Sequence, residues 1–238
     1  MGLDVYVGPL SRYYTGQWET IIQQYARQTG MDVQVVRPPS SSRTFIPRLI
    51  ERLRPKGSIF RDIGRWQADL TKITGIPVRW DDTFDREYFT DKPAWDCYGA
   101  LLMWAAYHEH GATNYPASAE NWHEDPIISH SANELHSKYR QLLANTEIWL
   151  PIDLEQPFGA KMLSGGAAII GSSIHLDRQL RELNESTWQA GEDTISKWRD
   201  ERAEFGAPLE KSAQFGFAVI HQLAELAVQH RLPMKLDY

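Results

Sequence analysis

Cys97 is the only cysteine of the chain and stands at the start of its most apolar segment, residues 97–107. We expect a helix here with Cys97 in its first turn, where the helix dipole stabilises a thiolate and lowers the pKa of the thiol. A catalytic cysteine also needs a base, most often a histidine, to accept its proton. No downstream histidine opens an apolar strand. We therefore expect Cys97 to be a small buried core residue, with catalysis by its thiol as the alternative.

Asp96-Cys97-Tyr98-Gly99-Ala100-Leu101 resembles the Asp-Cys-Ser-Gly-Leu start of the nucleophile helix in the NlpC/P60 cysteine peptidases. The resemblance covers six residues, and Tyr98 departs from the small serine of that family. It implies a hydrolase with Cys97 as nucleophile, which keeps the enzymatic alternative open.

The second candidate for chemistry is the acidic segment from Asp81 to Asp91. Its first five residues, Asp81-Asp82-Thr83-Phe84-Asp85, match the DDxxD spacing by which terpenoid synthases hold magnesium ions. Carboxylates at that spacing can bridge metal ions. Trp80 and Phe84 instead favour a turn after a strand. We expect a solvated acidic loop, with a metal-dependent hydrolase as the alternative.

The remaining polar motifs are weaker. His108 and His110 are two residues apart, so they point to different sides of a helix, and we expect no metal site and no cofactor. The stretch Gly171–Ser173 lies between a predicted strand and a predicted helix, where backbone N–H groups can bind an anion. It lacks the lysine and the glycine spacing of a P-loop, so an ordinary helix cap is expected.

Composition narrows the class of protein. The 238 residues are 42% hydrophobic and 24% charged, with a net charge of −6. This composition is typical of a globular protein, and we expect one domain over residues 1–238. An acidic chain without a dense basic cluster argues against nucleic-acid binding. The uncharged run at 97–107 is too short to cross a bilayer, and one cysteine suits a reducing compartment. We expect a cytoplasmic protein that binds neither nucleic acid nor membrane.

Hydrophobic periodicity and punctuating residues indicate how these groups are positioned. A strand at 3–8, a helix at 16–29 capped by Thr15 and a strand at 33–36 would form a βαβ unit. Residues 112–131 are predicted to be a long loop or a lid. Further helices are predicted at 44–54, 59–74, 132–144, 192–204 and 208–230, with another running from a Ser172 or Ser173 cap to Trp188. Further strands are predicted at 167–171 and at 147–153, the latter on a sheet edge because it contains Pro151. The fold class is therefore mixed α/β: one helix-rich domain whose central mixed sheet starts from an N-terminal βαβ unit.

The start of the chain (residues 2–8), the helix from Trp95 to Tyr107 and the ending at residues 232–238 resemble bacterial single-domain proteins that include immunity proteins of polymorphic toxins. The resemblance implies a cytosolic protein that binds and neutralises a toxin. The acidic balance favours a basic partner, such as a cognate toxin, because complementary charge speeds association. We expect the binding surface to be acidic and to contain aromatic residues. Its candidate residues are Asp81, Asp82, Asp85, Glu87, Asp91, Trp122, Glu124 and Asp125.

Overall fold

The computed structural model describes residues 3–31 and 56–238 of the chain. The predicted strand at 33–36 and the predicted helix at 44–54 lie outside the described residues. The first strand and the first long helix of the expected βαβ unit are therefore described, and its second strand is not.

The described residues form a six-stranded mixed sheet in the order β2-β1-β6-β3-β5-β4. Only β3 and β5 run parallel; the other neighbours are antiparallel. The strands are β1 (Asp4–Val7), β2 (Phe89–Asp91), β3 (Thr146–Leu150), β4 (Phe158–Lys161), β5 (Ala167–Ser172) and β6 (Met234–Asp237). The prediction of a mixed α/β fold is confirmed.

Helices supply the rest of the regular structure in the described part. They are α1 (Leu10–Tyr14), α2 (Ile21–Thr29), α3 (Lys56–Thr74), α4 (Trp95–Glu109), α5 (Pro126–Asn133), α6 (Arg140–Leu143), α7 (Ser173–Ser186), α8 (Glu192–Asp200) and α9 (Leu209–His230), with a 3₁₀ helix at Trp122–Glu124. The predicted helix around Cys97 and the helices near 59–74, 192–204 and 208–230 are confirmed. None of the described helices is long and apolar enough to span a membrane.

Several predicted boundaries are wrong. The cap of the first long helix is Thr20, which forms a reciprocal capping box with Gln23, and Thr15 instead follows the short helix α1. Helix α5 begins inside the segment 112–131, which was expected to be a loop, and ends just beyond it. The predicted helix at 132–144 is reduced to the single turn of α6.

The strand predicted at 147–153 corresponds to β3, and its predicted position at the edge of the sheet is wrong. Strand β3 pairs with β6 on one side and with β5 on the other. It ends at Leu150, so Pro151 follows the strand and removes no hydrogen bond from the ladder. The sequence prediction also missed the short strands β2, β4 and β6, which have three or four residues each.

Side chains alternate between the two faces of the sheet, as the two-residue period of a strand requires. On β3, Trp149 packs into one hydrophobic cluster with α4, α7 and α9. Its neighbours Ile148 and Leu150 pack into a second cluster with α1 and α3. Helices therefore cover both faces, and α4 lies in the larger cluster.

Helices α4 and α9 cross at very short range. A Cβ atom at Gly216 would lie 2.2 Å from the carbonyl oxygen of Cys97. Only glycine allows this approach, since real Cβ atoms essentially never come within 3.0 Å of another heavy atom. The crossing fixes the N-terminal turn of α4, where the candidate site lies.

Candidate functional site: an aromatic pocket beside Cys97

A cavity of about 360 Å³ opens at the N-terminus of α4. Its walls come from three parts of the chain: the first turn of α4, the segment 118–123, and the loop 203–207 that precedes α9. We call this cavity the aromatic pocket.

Trp122 forms one wall of the aromatic pocket and is held against α4. A Cβ atom at Gly99 would lie 2.1 Å from Cδ1 of Trp122, so the indole packs directly on the glycine backbone. Its ring centroid lies 5.3 Å from that of Trp95 and 6.2 Å from that of Tyr98. The residue is 8% exposed, and Nε1 is buried without a hydrogen-bond partner among the described residues. A buried donor of this kind is costly unless an acceptor reaches it.

The rim of the aromatic pocket contains unusual backbone and an exposed ring. Ala94 has φ 62° and ψ 149°, a region populated almost entirely by glycine. Asn121, with φ 55° and ψ 30°, is left-handed. Phe205 is 96% exposed, the highest value among the exposed large hydrophobic residues. Backbone strain of this type is concentrated at functional sites, where the surrounding structure has to maintain it.

The charge around the aromatic pocket is negative. Asp96, Glu120 and Glu204 line it and are exposed, whereas no lysine or arginine of the described residues lines it. Arg202, close by in sequence, lies over the ring of Phe215 with its Cζ 6.0 Å from the ring centroid. The pocket therefore combines aromatic walls with an acidic rim.

Cys97 lies at the bottom of the aromatic pocket and is 4% exposed. Burial, reinforced by the negative charge of Asp96, raises the pKa of its thiol to about 11. A hydrogen bond with Ser212 and the charge of Arg202 oppose this rise only in part. Among the described residues no hydrogen bond joins Cys97 to a histidine. The prediction that Cys97 is a buried core residue is confirmed.

Asp82 is buried, so the expectation that it is exposed is wrong. Its carboxylate accepts hydrogen bonds from the backbone N–H groups of Leu10 (2.6 Å) and Ser11 (2.7 Å), at the start of α1. It also accepts one from Nε1 of Trp80 (2.8 Å). Burial raises the pKa of Asp82 and these hydrogen bonds oppose the rise. Asp82 thus caps a helix that lies 72 residues away in the sequence.

Asp91 and Trp122 are also buried rather than exposed. Oδ2 of Asp91 accepts hydrogen bonds from Nε (2.9 Å) and Nη2 (2.8 Å) of Arg199 on α8. Asp125 caps α5 by accepting from the N–H of Ile127 and also accepts from the Tyr107 hydroxyl. These carboxylates hold the fold together.

Four predicted binding residues are exposed: Asp81, Asp85, Glu87 and Glu124. Hydrogen bonds from Thr83 lower the pKa of Asp81. Among the described residues, no acid of 81–91 belongs to a group of three converging metal-ligand residues. Trp122 is the one member of the predicted set that lines the aromatic pocket.

The segment Gly171–Ser173 behaves as an ordinary helix cap, as expected. The hydroxyl of Ser172 accepts from the N–H of His175 and donates to the carbonyl of Ile152. Ser173 donates to the carbonyl of Leu150. Both hydroxyl groups therefore have backbone partners.

The sequence prediction missed most of the pocket: Trp95, Asp96, Glu120, Glu204 and Phe205. These residues come from three separate segments, at 94–97, 118–123 and 203–207, so no local spacing joins them. The one sequence signal was Phe205 beside Glu204 and Gly206, an aromatic residue in a polar turn.

Comparisons of the chain with protein-family models, with curated proteins and with solved structures find no match.

Proposed function

We propose that this protein binds a basic protein partner, and that a cationic side chain of the partner enters the aromatic pocket. The single observation that carries the proposal is the combination of Trp95, Trp122 and Phe205 with three exposed carboxylates around one cavity. Arginine and lysine side chains are attracted to the faces of aromatic rings. The negative charge of the acidic rim also attracts a cationic side chain, and it raises the association rate.

The resemblance to immunity proteins extends the proposal to the neutralisation of a toxin. In that role the aromatic pocket is the anchor of an interface, since tryptophan and tyrosine are enriched among the residues that dominate binding energy. Exposed acids such as Glu124 would lie toward the rim of the interface, where charge steers the encounter. The geometry favours binding over the hydrolase alternative because the Cys97 thiol is buried, with a raised pKa.

The first experiment uses two twelve-residue Gly/Ser peptides, one with a central arginine and one with norleucine at that position. Fluorescence of the nine tryptophans reports binding. We expect the arginine peptide to bind at least about tenfold more tightly, equivalent to 1.4 kcal/mol, and to weaken in 0.5 M salt. Equal affinities for the two peptides would contradict the cationic specificity.

Matched variants locate the binding site. Phe205→Ala and Glu204→Gln change exposed residues of the pocket, so both proteins should fold normally. Each should weaken the arginine peptide about three- to tenfold. Glu155→Gln removes another exposed acid, outside the pocket and outside the predicted binding surface, and serves as the control. If Glu155→Gln weakens binding as much as Glu204→Gln, the partner surface is not the aromatic pocket.

The toxin-neutralising role is tested by co-expression with the product of the neighbouring upstream gene. We expect that product to arrest growth when expressed alone, and this protein to restore growth. Phe205→Ala should reduce the rescue while Glu155→Gln preserves it. Absence of any physical complex between the two purified proteins at micromolar concentration would refute the toxin role and leave the peptide result to stand separately.

A further inference from the structure

The C-terminal ends of α4 and α5 bring two histidines and a glutamate together on the opposite end of α4 from the aromatic pocket. His110 is the C-terminal cap of α4, while His130 and Glu134 lie four residues apart at the end of α5. One donor atom of each residue lies within 4.8 Å of the other two. The imidazole centroids of His110 and His130 are 5.2 Å apart.

The carboxylate of Glu134 faces both imidazoles without a hydrogen bond to either. Its Oε2 lies 3.9 Å from Nε2 of His110 and 3.8 Å from Nε2 of His130. Both distances exceed the 2.7–3.2 Å of a hydrogen bond. Oε2 is nevertheless buried and has no hydrogen-bond partner among the described residues. A buried carboxylate oxygen left unpaired between two imidazole nitrogens points to a missing cation.

We propose that His110, His130 and Glu134 bind a divalent transition-metal ion, with zinc as the metal that this donor set favours. Two imidazoles and one carboxylate are a common three-residue set for zinc. With metal–donor bonds of about 2.0–2.1 Å, tetrahedral geometry places the donors ~3.4 Å apart. The two observed separations need to close by about 0.5 Å, which rotation of exposed side chains supplies.

The exposure of the three residues leaves room for a solvent ligand. The His130 side chain is 69% exposed and that of Glu134 is 40% exposed, whereas that of His110 is 28% exposed. Three protein ligands with one face open to water leave the fourth coordination position for a water molecule. The ion would then tie the end of α4 to α5.

The hydroxyl of Ser131 competes with the metal for Nε2 of His110. Its hydroxyl is fully buried and lies 2.9 Å from Nε2 of His110, the same nitrogen that faces Glu134. The lone pair of that nitrogen cannot accept from the hydroxyl and bind a metal at once. Removal of the hydroxyl should therefore strengthen metal binding, an effect opposite to that expected of a purely structural hydrogen bond.

A second cluster, Asp177, His221 and Glu225, also brings three donors within 4.8 Å. There Arg181 donates to both carboxylates, from Nε to Asp177 at 3.0 Å and from Nη2 to Glu225 at 2.5 Å. The guanidinium already supplies the positive charge at that place. The His110 cluster has no lysine or arginine ion pair with its glutamate in the described part of the chain, so the proposal concerns that cluster alone.

The test uses full-length protein without a histidine tag, titrated with Zn²⁺ by calorimetry and with Co²⁺ by visible absorption. We expect one site per chain, and the d–d bands of bound Co²⁺ should report nitrogen and oxygen ligands. Excess zinc, about 100-fold above its Kd, should raise the midpoint of thermal unfolding by about 5–10 °C.

The variants distinguish the proposed ligands from other histidines. His130→Ala changes an exposed side chain and should weaken zinc binding by at least about 100-fold, more than the loss of an outer-shell partner costs. Glu134→Gln should weaken it similarly, and Ser131→Ala should strengthen it about twofold or more. His123→Ala, an exposed histidine outside the cluster, is the control and should bind as the unmodified protein does.

Three outcomes would overturn the proposal: no saturable binding at 100 μM zinc, unchanged affinity in His130→Ala, or loss of binding in Glu225→Gln with full binding in Glu134→Gln. The last result would assign the metal to the Arg181 cluster instead. Peptide binding by the aromatic pocket is measured independently, so failure of either proposal leaves the other intact.

Discussion

Alkylation of Cys97 is expected to be at least about 100-fold slower in the native protein than in the unfolded chain. The pKa of the thiol rises from its ordinary value of 9.0 to about 11. Only the thiolate reacts, so at pH 7.4 this rise alone lowers the reactive fraction about 100-fold. The 4% exposure of the residue slows the reaction further, because the reagent must wait for a local opening.

The assay follows iodoacetamide labelling by mass spectrometry at pH 7.4, with and without 6 M guanidinium chloride. A matched control places a cysteine on the pocket rim, Glu120→Cys in a Cys97→Ala background, since Glu120 is exposed on the same cavity. We expect rapid native labelling of the control. Native labelling of Cys97 within tenfold of the unfolded rate would refute the reasoning and restore the thiol hydrolase as the leading alternative.

Three further predictions concern stability. The raised pKa values of Cys97 and of buried Tyr98 mean that the folded state keeps protons that the unfolded chain loses. The free energy of unfolding is therefore intact below pH 9 and falls as the pH rises through 11. The thiol alone contributes a total loss of about 3 kcal/mol, which urea unfolding measures. Flat stability between pH 8.5 and 10.5 would contradict this. Asp82→Ala leaves the buried N–H donors of α1 and of Trp80 without an acceptor. The free energy of unfolding should fall by about 3 kcal/mol. A loss under about 1 kcal/mol would mean that water replaces the carboxylate. Gly99→Ala should destabilise the fold by about 2 kcal/mol and weaken binding of the arginine peptide, because the new Cβ displaces Trp122. The matched control, Gly64→Ala on the open face of α3, should stabilise the fold by about 1 kcal/mol. Equal effects of the two glycine substitutions would show that helix propensity, rather than the contact, decides.

The sequence predicted those elements whose signals are local. Helix α9 carries an apolar stripe over 22 residues and α4 is apolar along its length, so both were found near their observed ends. Gly30, with φ 70°, ends α2 as expected, and Ser172 caps α7. Short strands gave no such signal: β6 has four residues, and its place between β1 and β3 comes from pairing partners far away in the chain.

The role of each acidic residue was the least predictable property. In sequence, Asp81 and Asp82 are adjacent and alike. In the structure Asp81 is exposed, while Asp82 points inward and caps α1. Which of two neighbours turns inward depends on donors that come from a distant segment.

The fold class, the buried character of Cys97 and the acidic balance could be predicted, because composition and hydrophobic periodicity are local properties of the chain. The two candidate sites depend on contacts between distant segments. The aromatic pocket joins Trp95, Trp122 and Phe205 from separate segments. The proposed metal site joins His110 to the His130–Glu134 pair only because α5 packs against the end of α4. Which side chains converge depends on how the helices pack on their common sheet, and the spacing of residues along the chain does not predict that packing.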